Sequence, residues 1–124
     1  MNEKPLLPQE VIDQYVETCS ILEETTLSGD YKRGNKEGRK IINVFKLLET
    51  NLDIAKESLP SLFKHDNVVT RTKAAAHCIT LNIAVDEACE ILEKAANDES
   101  NGIFGFNAKM TLDVLHEQGF LKVY

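Results

Sequence analysis

Apolar side chains recur along this chain three and four residues apart, and no segment alternates long enough to predict a strand. Val11, Ile12, Tyr15, Val16, Cys19 and Leu22 form the first such stripe. Pro8 suits the first turn, Glu10 complements its positive end and Gly29 stops it, which predicts a helix over 9–27. Asp30 is the expected N-cap of a second helix whose apolar face is Ile41, Ile42, Phe45, Leu48 and Leu52. Gly34 and Gly38 weaken its polar opening turns, so Asn35 is an alternative start. Asp53 is expected to cap a third helix with Ile54, Leu59, Leu62 and Phe63 inward, which Pro60 kinks or restarts. His65-Asp66-Asn67 reads as a polar turn, followed by a fourth helix over 68–81 with the narrow stripe Ala74, Ala75, Cys78 and Ile79. Asp86 and Glu87 open a fifth helix with Ala88, Ile91, Leu92, Ala95 and Ala96 inward. A turn over 97–102 leads to a sixth helix over 103–118, carrying Phe104, Ala108, Leu112 and Leu115 and capped by Gly119. The apolar tail Phe120, Leu121, Val123 and Tyr124 is expected to fold back on the domain.

The third and fourth helices superimpose on the fifth and sixth in sequence. Leu59 falls on Leu92, Leu62 on Ala95, Phe63 on Ala96, Ala75 on Ala108 and Ile79 on Leu112, each at an offset of 33 positions. Helix-turn-helix units of this length stack, because each hairpin leaves an apolar face that the next one covers. The expected fold is therefore all-α, a single domain over 1–124 of three antiparallel helical hairpins. Pro60, Asp66, Thr70-Arg71 and Ala75-Ala76 make the second unit resemble a HEAT repeat, with a turn one residue short and Thr70 where that pattern has valine. A wider pattern resembles an uncharacterised bacterial family of small HEAT-like helical proteins. It consists of Gly29-Asp30 with Asn35, Leu59-x-x-Leu62-x-x-His65-Asp66, Ala74-Ala75-Ala76, Ala88-x-x-Ile91-Leu92-Glu93 and Gly105-Phe106-Asn107-Ala108-x-Met110-Thr111-Leu112. The resemblance implies a right-handed stack of hairpins and no particular activity.

Composition narrows the function. The chain has 124 residues, 43% of them hydrophobic and 27% charged, values of a globular domain whose core needs neither metal nor disulfide. Its net charge of -6 disfavours nucleic acid and anionic membrane as partners. Cys19, Cys78 and Cys89 are odd in number and widely spaced, as buried thiols of a reducing compartment are. No segment has the apolar run of a signal peptide or a membrane span, so a cytoplasmic location is expected.

Charge is unevenly distributed. Residues 30–46 hold six Lys and Arg against two Asp and Glu, leaving about -10 for the rest of the chain. Lys32, Arg33, Lys36, Arg39 and Lys40 are thus a candidate binding patch for an acidic peptide, a phosphate or the backbone of a nucleic acid. Glu87, Glu90 and Glu93, beside Asp86, Asp98 and Glu99, form an acidic counterpart of the sort that steers basic partners. Asn35, Asp66, Arg71 and Asn107 are expected to be structural hydrogen-bonding residues, with ligand contact as the alternative for the two asparagines. No phosphate-binding loop, zinc-ligand spacing or nucleophile motif occurs. His77 and Cys78 are adjacent and diverge by about 100° on a helix, so they form no dyad. The expectation is a buried thiol beside an edge histidine. The chain reads as a non-enzymatic protein-protein interaction module without cofactor or metal. An immunity protein that neutralises a bacterial toxin and a nucleic-acid-binding repeat protein are the alternatives.

Overall fold

The computed structural model describes residues 6–124. They form α1 (Pro8–Ser28), α2 (Tyr31–Glu49), α3 (Leu52–Ser58), α4 (Val68–Thr80), α5 (Val85–Asn97) and α6 (Ile103–Gln118). Two 3-10 turns, Pro60–Lys64 and Glu99–Asn101, join α3 to α4 and α5 to α6. Among the described residues there is no strand, and no helix is long and apolar enough to cross a membrane.

The local signals explain most boundaries. Pro8 occupies the first turn of α1, and Gly29 ends it in the left-handed region, its N–H donating to the Thr25 carbonyl. The Asp30 side chain accepts from the Arg33 N–H, so α2 starts there and not at Asn35. Two glycines do not break α2. Gly34 is held against α1 so closely that a Cβ would stand 3.0 Å from the Thr25 hydroxyl. Asp53 is not a cap: α3 begins one residue earlier, after Asn51, and Asp53 lies in its first turn. Asn51 instead donates back to the Leu47 carbonyl at 2.8 Å, using its side chain to close α2. Pro60 restarts the chain as a 3-10 turn, because it lacks the N–H that would continue α3.

The α4 turn is held from both sides. Asn67 caps α4 by accepting from the Val69 and Thr70 N–H groups. The Arg71 guanidinium donates to the carbonyls of His65 and Asp66 at 2.9 and 2.8 Å, and the His65 ring accepts from the Asn67 N–H. Arg71 therefore has the structural role expected of it. Asp66 contributes through its backbone, while its side chain is exposed.

α4 is the centre of the molecule, packed on α1, α5, α6 and the Pro60–Lys64 turn. Consecutive helices pair as α1 with α2 and α5 with α6. The sequence repeat has a structural counterpart in burial. Leu59 and Leu92, Leu62 and Ala95, Ala75 and Ala108, and Ile79 and Leu112 are buried at both members of each pair. Phe63 is buried and its counterpart Ala96 is half-buried.

Candidate binding groove

α2, α4 and α6, together with the C-terminal tail, line a series of adjoining cavities. The first, of about 400 Å³, lies between Lys73, His77 and Thr80 of α4, Met110, Thr111 and Val114 of α6, and the tail residues Leu121 to Val123. A second, of about 140 Å³, runs between α4 and α6 past Asn107 and Thr111. The third, of about 650 Å³, opens between α1, α2 and α4 and is walled by Tyr31, Asn35, Gly38, Arg39, Ile42 and Lys73. Lys73 borders all three, so they lie next to one another along α4 as one grooved face.

No Asp or Glu lines any of the three cavities. The chain carries 20 acidic residues, so their exclusion from this groove sets it apart from the rest of the surface. Its charged groups are Lys73, Arg39 and Lys122, none of them in an ion pair among the described residues. The rest of the lining is apolar or carries hydroxyl and amide groups.

The five basic residues singled out by sequence divide in two. Arg33 reaches Glu24 of α1 at 3.3 Å, and Lys40 donates at 2.9 Å to Glu37, whose side chain is nearly buried. Lys32, Lys36 and Arg39 follow one another at helical spacing along an exposed edge of α2, and Arg39 turns into the groove. Asn35 and Asn107 do not act as buried structural hydrogen bonders. Both are exposed, both line the groove, and neither side chain makes a hydrogen bond among the described residues. Gly38 also faces this space, and a Cβ there would meet nothing within 4 Å.

The expected acidic face is more mixed. Glu87 and Glu90 lie across a separate cavity with Lys64, Arg71 and Lys94, so cations are interleaved with the carboxylates. Glu93 is exposed outside it.

His77 is not at an edge. It is 4% exposed, and its Nδ1 shares a 2.7 Å hydrogen bond with the Tyr15 hydroxyl of α1, the direction following the imidazole tautomer. Phe45 of α2 packs edge-on against the same ring, with centroids 4.9 Å apart. Burial, reinforced by the Lys73 charge, holds His77 well below the usual histidine pKa, so the ring stays neutral. Burial likewise pushes the Cys19 thiol up to about 11 and the Cys78 thiol up to about 12, so neither forms a thiolate readily. Among the described residues no group of three or more His, Cys, Asp and Glu is placed to hold a metal.

The tail folds back as its apolar residues predict. Tyr124 reaches α2, where its ring packs on Phe45 and lies 4.7 Å under the Lys46 ammonium. Its hydroxyl donates to the Glu49 carboxylate. Leu121 to Val123 thereby form one end of the groove. Sequence reading missed Lys73 and the tail as groove residues. The signal for Lys73 was a lysine on the polar side of an alanine-rich helix, which becomes informative only once the neighbouring helices are placed. No family model, no curated protein and no solved structure matches this chain.

Proposed function

We propose that this protein is a non-enzymatic interaction module of the cytoplasm that holds a segment of another protein in the groove along α4. The observation that carries the reading is the set of adjoining cavities around Lys73 with no Asp or Glu in their lining. An acidic chain leaves such a surface free of its commonest charge where a partner is to be seated, since like charges there would repel it or be costly to desolvate. The groove is also wide, open and mixed in chemistry, as protein-binding surfaces are. A HEAT-like stack presents the second helix of each hairpin on one side, and α2, α4 and α6 supply much of this groove's lining, with α1 closing the third cavity. Buried Cys19 and Cys78 suit a reducing compartment.

The test is affinity capture from the source cell with the wild-type chain, Lys73→Glu and Glu90→Lys. The reading predicts partners that disappear with Lys73→Glu and persist with Glu90→Lys. The opposite pattern would move recognition to the outer acidic face and favour an immunity protein that neutralises a basic toxin.

A further inference from the structure

The two rims of the groove differ in chemistry. On α2, Lys32, Lys36 and Arg39 form an exposed cationic edge at helical spacing. On α6, Ile103, Phe106, Met110 and Val114 are all exposed, at 50, 59, 47 and 38%, and follow one another three or four residues apart. Helical geometry places them on one stripe, beside the groove-lining Asn107 and Thr111. A run of uncovered apolar side chains along one helix is not explained by the packing of this domain, whose inward face on α6 is Gly105, Ala108 and Leu112. The floor between the rims carries Lys73 and no acid. On the α2 side Gly38 leaves open space where any other residue would place a Cβ, although glycine within a helix is less favourable than alanine. Nothing in the packing of the domain requires a glycine there.

A partner that fits both rims must itself have two sides. We infer that the groove takes an acidic amphipathic segment of a partner protein. Its carboxylates meet Arg39, Lys73 and the α2 edge, and its apolar side chains cover Met110, Val114 and the α6 stripe. This deepens the proposed function and rests on it. The cations give steering and register, and the apolar rim gives the area that must be removed from water. A purely anionic ligand such as an oligonucleotide would leave the α6 stripe uncovered. A purely apolar one would bury Lys73 without a counter-charge.

The experiment is selection of random peptides displayed on phage against the intact protein, followed by titration of the selected peptides as synthetic probes. The expected result is enrichment of peptides that combine Asp or Glu with bulky apolar residues. Arg39→Glu should weaken a selected peptide by about tenfold or more, and Met110→Glu should do the same from the other rim. Both positions are exposed, so both variants should keep the wild-type melting temperature, and Arg39→Gln serves as a milder second variant. Added salt should weaken the peptide, and should do so less steeply in Arg39→Glu. Selected peptides that lack carboxylates yet lose affinity with Met110→Glu would overturn the acidic partner and leave the groove reading standing. Peptides insensitive to every groove substitution, or no selected peptide, would remove both. A single-stranded oligonucleotide that binds in place of the peptides, or self-association abolished by Met110→Glu, would replace the inference with a different occupant.

Discussion

Two helix-helix seams of the molecule are built on different principles, one where α4 meets α1 and α2 and one inside the α5–α6 hairpin. Toward α1 and α2 the contact is built from aromatic rings: Tyr15 and Phe45 close on His77, and one buried hydrogen bond ties Tyr15 to it. The α5–α6 hairpin is built from small side chains, with Ala88, Ala95, Gly105 and Ala108 all buried. Within it, Gly105 sits so close to α5 that a Cβ would stand 2.9 Å from the Ala95 carbonyl. Close backbone approach and interlocked aromatic rings are two ways to exclude water from a helix-helix contact. The first tolerates no added atom. The second depends on a polar pair that must stay uncharged. The groove adjoins both, since Lys73 and His77 of α4 border the same cavity as Met110 and Val114 of α6.

The comparison can be broken most strongly at the small-residue seam. Gly105→Ala forces a methyl against a backbone carbonyl that cannot rotate away, and should cost about 1–3 kcal/mol in urea denaturation. A wild-type midpoint in that variant would show that α5 and α6 slide apart easily.

The aromatic seam should answer to pH. His77 is neutral in the folded protein and titrates near 6.5 when unfolded, so below that pH the unfolded chain binds the extra proton. The stability contributed by the neutral ring is therefore complete above about pH 6.5 and is lost as pH falls below it. Between about pH 7.5 and about pH 5.5 this one group should remove on the order of 1 kcal/mol. In His77→Asn, which keeps an acceptor for Tyr15 and cannot titrate, that increment should vanish from the difference between the two pH values. An identical pH dependence in the two proteins would mean that His77 is reached by protons without unfolding.

The smallest effect sharpens the contrast between glycines. Gly38 faces open space, so Gly38→Ala should raise stability, by at most about 1 kcal/mol through helix propensity, where Gly105→Ala lowers it. If Gly38→Ala also weakens a groove-bound peptide, the empty position serves the ligand and not the fold.

Much of the architecture was legible in the sequence. Pro8, Gly29, Asp30 and Gly119 mark helix ends by local conformational preference, and each acts on its own few neighbours. The 33-residue repeat foretold which positions would be buried together, because a repeated hairpin repeats its burial pattern. The errors arose where a choice between neighbouring signals was settled by contact. Asn51 takes the end of α2 and leaves Asp53 inside α3. Gly34 is tolerated in α2 because α1 lies against it.

The site was only half legible. Charge counting located the basic edge of α2, since net charge over a segment is a property of sequence. It could not show that Arg33 and Lys40 are neutralised by Glu24 and Glu37, or that Arg39 turns toward Lys73, which lies 34 positions away in sequence. Helical periodicity also cannot distinguish an edge histidine from one enclosed by rings that come from two other helices. The sequence by itself determined the helices, their caps and the repeat, because these depend on residues within a turn or two of one another. Only the tertiary structure decided that His77 is buried and that the groove around Lys73 holds no carboxylate. Both follow from which side chains segments far apart in sequence bring to one place.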